Sequence, residues 1–127
     1  MEILTKSEEK VMQILWRIRK GFVKDLIDEM PEPKPPYNTI SSLIRILEKK
    51  KFVGYKAYGK TYEYFPLISK LAYRKFTFTN FITNYFEGVP QNVVSFMVDE
   101  EELGENDLRK ILDMLDKSSP EKSPENE

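Results

Sequence analysis

Tyr37-Asn38-Thr39-Ile40-Ser41-Ser42-Leu43-Ile44-Arg45-Ile46-Leu47-Glu48-Lys49-Lys50-Lys51-Phe52 decides the fold. Ile40, Leu43, Ile44 and Leu47 stand at i, i+3, i+4 and i+7, the spacing of one apolar helix face. Turning about 100° per residue puts Asn38, Ser42, Arg45 and Lys49 in a row opposite, flanked by Thr39 and Ile46 on one side and Ser41 on the other. Short hydrogen-bonding side chains at the start and cations toward the end suit a helix whose first turns enter a major groove. An amphipathic helix with an ordinary solvated face would carry much the same pattern, so the flanking sequence has to decide.

After Phe52 the period changes. Val53-Gly54-Tyr55-Lys56-Ala57-Tyr58 and Thr61-Tyr62-Glu63-Tyr64-Phe65-Pro66 are rich in aromatic and β-branched residues around a Gly59-Lys60 turn, which predicts a β-hairpin ended by Pro66. From Tyr37 to Lys60 there are six Lys or Arg (45, 49, 50, 51, 56, 60) against one acid, Glu48. A reading helix followed by a basic two-stranded wing is a winged-helix arrangement. On this reading Asn38, Thr39, Ser42 and Arg45 read bases. Lys49, Lys50, Lys56, Tyr58 and Lys60 hold phosphates.

Upstream, Thr5-Lys6-Ser7-Glu8 fits a capping box. The helix it opens buries Val11, Met12, Ile14, Leu15, Trp16 and Ile18 and is expected to run to about Lys20, with Trp16 as a core anchor and Gly21 as the break. Phe22, Val23, Leu26, Ile27 and Met30 mark a second, shorter helix. Pro31-Glu32-Pro33-Lys34-Pro35-Pro36 then reads as a stiff turn that sets the angle of the next helix. Helix, helix, helix, hairpin is a helix-turn-helix core with a wing.

Downstream, Leu71 to Phe86 reads as a helix with its apolar stripe on Leu71, Phe78, Ile82 and Tyr85, widened by Phe81 and Phe86. Four of the eight phenylalanines fall between 76 and 86, more than a peripheral helix of one small domain buries, so a partner surface is expected. Gly88-Val89-Pro90 breaks this helix, Val93 to Met97 form a short apolar one, and Leu108, Ile111, Leu112 and Leu115 form a last stripe. These stripes predict a homodimer built on Phe78, Phe81, Ile82, Tyr85, Phe86, Leu108, Ile111, Leu112 and Leu115. The run Asp99 to Glu102 lacks the alternating spacing and glycine of a calcium loop and reads as a solvated turn.

The fold class expected is mainly α with a small β-hairpin. Residues 1–68 form an N-terminal winged helix-turn-helix, 69–117 a C-terminal helical dimerisation domain, and 118–127, which hold no apolar residue, a disordered tail. Charge divides the same way. Residues 1–68 hold 13 Lys or Arg against 9 Asp or Glu, a net of +4, and residues 69–127 hold 7 against 12, a net of −5. The chain has no cysteine and no histidine, which removes disulfides, thiolate metal sites and the commonest general base. No catalytic constellation, metal site or cofactor is expected. With no signal peptide and no apolar run of membrane-span length, a cytoplasmic protein without membrane insertion is expected.

Jointly these residues resemble the BlaI/MecI penicillinase-repressor family of bacterial winged-helix transcription factors over about residues 3–117. The resemblance lies in Leu4-Thr5 through Glu9, Val11-Met12 with Leu15-Trp16, Tyr37-Asn38-Thr39-Ile40 with Leu43-Ile44, and Leu47-Glu48-Lys49-Lys50. Phe52-Val53, Tyr62-Glu63-Tyr64, Val94-Ser95-Phe96 and Glu101-Glu102-Leu103 complete it. It implies a homodimeric repressor on a double-stranded DNA operator with dyad symmetry, with C-terminal helices at the dimer interface. It also implies a membrane-bound sensor metalloprotease that detects a β-lactam and cuts the repressor at an Asn-Phe bond, the pair that here is Ser95-Phe96. Copper-responsive relatives carry a C-terminal cysteine cluster, which is absent here. Where the family usually turns out of the reading helix on glycine, this chain has Lys51, and a left-handed backbone there costs about 1 kcal/mol. The alternative is a winged-helix module that binds protein without sequence-specific DNA binding.

Overall fold

A computed structural model describes residues 1–122, with side chains to residue 114. The elements run α1 (Lys6–Ile18), α2 (Val23–Asp28), α3 (Tyr37–Lys49), β1 (Val53–Tyr58), β2 (Thr61–Pro66), α4 (Lys70–Tyr85), α5 (Pro90–Asp99) and α6 (Glu105–Lys122). A mainly helical chain with one hairpin and an N-terminal winged helix-turn-helix is the expected class. Contacts divide it into two compact units, Met1–Phe78 and a second from Thr79 onward.

The first unit closes on one core. Val11, Met12 and Leu15 of α1 meet Val23 and Leu26 of α2, Ile40, Ile44 and Leu47 of α3, and Phe52, Val53 and Tyr64 of the wing. The α3 positions are three of the four expected from spacing, and Leu43 packs half-buried at the edge. Thr5 closes the expected capping box: its hydroxyl accepts from the Glu8 N–H at 3.2 Å, and its own N–H donates to Glu8 Oε1 at 2.9 Å. This satisfies donors that the first helical turn leaves free.

The end of α1 differs from expectation. The helix stops at Ile18, and Arg19 takes the left-handed turn at φ 78°. Gly21 instead bridges to the wing: its N–H donates to the Tyr64 carbonyl at 3.0 Å and its carbonyl accepts from the Tyr64 N–H at 2.8 Å. A Cβ at Gly21 would stand 3.1 Å from both Asp25 Cβ and Ile18 Cδ1, so close packing holds the glycine here.

The proline segment is an ordered turn. Lys34 Nζ donates to the Asp28 carbonyl at 3.1 Å and to the Met30 carbonyl, capping the end of α2. The Pro36 carbonyl accepts from the N–H of Thr39 and of Ile40, starting α3. At the far end the Lys51 N–H donates to Glu48 and the Phe52 N–H to Leu47, a Schellman-type close with Lys51 left-handed at φ 70°. The non-glycine exit expected from the sequence is there. Phe52, wholly buried, then pins the chain as it enters β1.

The first unit extends ten residues past the boundary expected at residue 68, because the first turns of α4 pack on this core. Tyr73 carries that contact. Its ring lies 5.6 Å from Phe52 and 5.9 Å from Trp16, and its hydroxyl accepts from the Leu4 N–H at 2.8 Å. Trp16 is the expected anchor, half-buried rather than enclosed, because its Nε1–H reaches the Ile68 carbonyl at 2.9 Å.

In the second unit Phe86 joins Phe81 at 5.4 Å and Phe96 at 5.7 Å, tying α5 to the end of α4. Ile82 is 7% exposed, so this expected dimer residue is already taken up within a single chain. Helix α6 is assigned as far as Lys122, within the segment 118–127. The rest of that expected tail, 123–127, and the side chain of Leu115 lie outside the described residues.

Candidate nucleic-acid interface

Burying Ile40, Ile44 and Leu47 fixes the rotation of α3, which turns Asn38, Thr39, Ser42, Arg45 and Lys49 to solvent. All five expected side chains are exposed on one element. Asn38, Thr39 and Ser42 occupy its first two turns, the part of a helix that enters a groove most deeply. Arg45 and Lys49 follow further along.

The wing forms the two strands expected around the Gly59-Lys60 turn. Val53 pairs with Pro66, Lys56 with Glu63 and Tyr58 with Thr61, around Gly59 at φ 63°. Tyr55 and Tyr62 stack at 4.4 Å across the strands, stiffening the two-stranded ribbon. At the tip the Thr61 hydroxyl donates to the Tyr58 carbonyl at 2.9 Å. The Tyr58 ring is held edge-on to Phe22 at 5.8 Å with the Lys56 ammonium 5.3 Å above it. Lys56, Tyr58 and Lys60 are thus exposed on a braced ribbon. The bridge at Gly21 braces its base. That bridge joins residues 43 positions apart, and no local pattern announces it.

Lys50 differs from the phosphate role expected for it. Its ammonium lies 3.0 Å from both carboxylate oxygens of Glu8 and 3.6 Å from Glu2, facing α1. The reason is on the other side of the pair: Glu8 is the one buried charged residue among those described, and a buried carboxylate requires a cation. Sequence order groups Lys49, Lys50 and Lys51 as one basic run. In the structure Lys50 faces α1, whereas Lys49 and Lys51 are exposed.

Of the expected dimer residues, Phe78 (56%), Phe81 (44%) and Tyr85 (73%) are exposed, as are Ile111 and Leu112. Phe86 and Leu108 are half-buried. Ser95 and Phe96 are both exposed and lie in the interior of α5. Among the described residues no group of His, Cys, Asp and Glu side chains is arranged to hold a metal, and no helix is long and apolar enough to cross a membrane.

Comparison with known proteins agrees with this architecture along nearly the whole chain. The chain is 27% identical over 115 residues to the methicillin resistance regulatory protein MecI of Staphylococcus aureus, covering 90% of this chain and 94% of that one. The Staphylococcus epidermidis protein of the same name gives the same figures, and that of Mammaliicoccus sciuri is 26% identical over the same length. The family model described as penicillinase repressor matches residues 4–117, from the buried Leu4 ahead of the capping box to the last helix. With its winged helix and its match spanning both units, the chain belongs to the penicillinase repressor family of DNA-binding transcriptional repressors.

Proposed function

We propose that this repressor binds as a homodimer to an operator with dyad symmetry and is released by proteolysis in its C-terminal region. The observation that carries the reading is the single exposed row on α3, set beside a braced basic wing, in a chain of this family. Asn38, Thr39 and Ser42 read base edges, where side-chain hydrogen bonds distinguish one base pair from another. Lys49, Lys56, Tyr58 and Lys60 hold the backbone and set register.

Exposed Phe78, Phe81, Tyr85, Ile111 and Leu112 support the dimer, since rings this large are rarely left in water without a partner. A two-fold axis would set two α3 helices about 34–36 Å apart, one turn of duplex. Two linked half-sites give an affinity that one cannot reach. Similarity to methicillin resistance regulators supports a β-lactam-type signal. On this proposal a membrane-bound sensor metalloprotease passes that signal to the repressor. The bond Ser95-Phe96 is helical in α5, so a protease that takes extended chain must first unwind it. Cutting there would separate α6 from α4 and dissolve the dimer.

A footprint of the purified protein on its own promoter tests the reading. A protected site of two inverted half-sites about one turn apart is the expected result. A single unsymmetrical patch would exclude the dimeric mode. Co-expression with the cognate protease should yield a fragment ending at Ser95. A repressor that stays intact while its genes are induced would mean a different signal.

A further inference from the structure

Between α3, the wing and the start of α2 lies a cleft of about 530 Å³. Three separate elements bring cations to it: Lys24 of α2, Arg45 of α3 and Lys60 of the hairpin turn. Tyr37 and Ser41 of α3 add hydroxyl donors to its wall. One carboxylate is present, Asp25, and its Oδ2 already accepts from the Phe22 N–H at 2.9 Å. The cleft therefore holds three positive charges against one negative. Among the described residues, neither Lys24, Arg45 nor Lys60 is engaged in an ion pair.

We propose that this cleft seats a phosphodiester of the duplex backbone, gripped by Lys24, Arg45 and Lys60 with Tyr37 and Ser41 as hydroxyl donors. Convergent, unneutralised cations with hydroxyl donors are the chemistry that recognises a phosphate oxygen. The position fits a strand of duplex. Arg45 belongs both to the exposed row of α3 and to the cleft, so the cleft opens directly from the face that meets DNA. Arg45 lies seven residues after Asn38, about 10.5 Å further along the helix axis. Facing the cleft, it serves there as a phosphate contact rather than a base reader. Lys24 extends the contact to α2, which composition and spacing did not mark. The Thr61 hydroxyl, spent on the Tyr58 carbonyl, positions the turn that carries Lys60.

This inference rests on the DNA-binding reading, and its test separates the two. Lys24→Gln is the decisive variant, because Lys24 is exposed and lies outside both the α3 row and the wing. Binding to the protein's own promoter duplex and to a scrambled duplex of equal length is measured by anisotropy across a salt series. Lys24→Gln and Arg45→Gln should each weaken both duplexes equally, on the order of tenfold near about 0.1 M salt. Each should lower the slope of log affinity against log salt by about one. If Lys24→Gln changes neither affinity nor slope while Lys56→Gln lowers both, the cleft is not a backbone seat, though the protein still binds DNA. If Arg45→Gln alters the preference between duplexes at unchanged slope, it reads bases and the proposal falls. Inorganic phosphate that displaces the duplex from the unaltered protein, beyond a chloride control of equal ionic strength, and not from Lys24→Gln, would make this a free-anion site and overturn it. Failure of the unaltered protein to bind any duplex would remove both readings.

Discussion

The Lys50 ammonium sits 3.0 Å from each carboxylate oxygen of Glu8, 42 positions earlier in the chain, and so bolts the end of the reading helix to the start of α1. Burial by itself would raise the Glu8 pKa. The Thr5 backbone N–H, the Lys50 ammonium and the Thr5 hydroxyl together outweigh it and hold the carboxyl below its ordinary 4.5. The Glu8 hydrogen bond raises Lys50 above its ordinary 10.5, against desolvation and with help from Glu2. Both shifts have the sign of one stabilising pair.

A pH window follows from those signs. A lowered carboxyl contributes stability that is complete above its ordinary 4.5 and lost as pH falls through the folded value. A raised ammonium contributes stability that is complete below 10.5 and lost as pH rises through its folded value. Urea unfolding of the unaltered protein should therefore show an acid-side loss below about pH 4.5 that Glu8→Gln does not share. Identical acid limbs in the two proteins would show the pair to be energetically silent.

Lys51 ends α3 at φ 70°, where a Cβ crowds the following carbonyl. Lys51→Gly should raise stability by up to about 1 kcal/mol, reduced by the greater freedom of glycine in the unfolded chain. Lys51→Val, β-branched at a left-handed position, should lower it. Urea midpoints in the reverse order would place the strain elsewhere.

Tyr73→Phe keeps the ring against Phe52 and Trp16 and removes the acceptor for the Leu4 N–H. A buried donor without a partner costs about 1–3 kcal/mol. Thermal or urea unfolding should register that loss, and hydrogen exchange at Leu4 should speed up. Unchanged exchange at Leu4 would mean that the hydroxyl does not hold the N-terminal segment.

Asn38→Ala and Ser42→Ala should shift preference between operator and altered sites by roughly 1–3 kcal/mol per lost base contact. Lys56→Gln should weaken every duplex alike and reduce the salt slope by about one. If both sets of variants act uniformly on all sequences, base reading has been assigned to the wrong residues.

Phe81→Asp places a charge among rings that a single chain leaves open to water. Burying one such side chain contributes roughly 1.5–3 kcal/mol, so the dimer dissociation constant should rise at least about tenfold. Sedimentation velocity reads the change, while circular dichroism should show the helices intact. An unchanged sedimentation coefficient would move the interface away from α4.

Much of what lies within single elements was legible in the sequence. The i, i+3, i+4, i+7 spacing of Ile40, Leu43, Ile44 and Leu47 assigned the buried face of α3, and with it the exposed row of Asn38, Ser42, Arg45 and Lys49. Aromatic runs around Gly59-Lys60 marked the two strands of the wing, and Thr5 with Glu8 marked the start of α1. Each of these is set by neighbours a few residues away, where backbone geometry alone decides who meets whom. Only the tertiary structure decided what required a distant partner. Lys50 looks like its neighbours in a basic run until Glu8 is brought to it. Gly21 looks like a helix breaker until Tyr64 pairs with it. Tyr73 lies off the stripe read from the sequence, yet it is the residue of α4 most deeply enclosed in the first unit, while Phe78 and Tyr85 on that stripe stay in water. Helical periodicity shows that a face is apolar. Which side of an aromatic-rich helix closes on its own chain depends on the core it lands against, here the rings of Trp16 and Phe52.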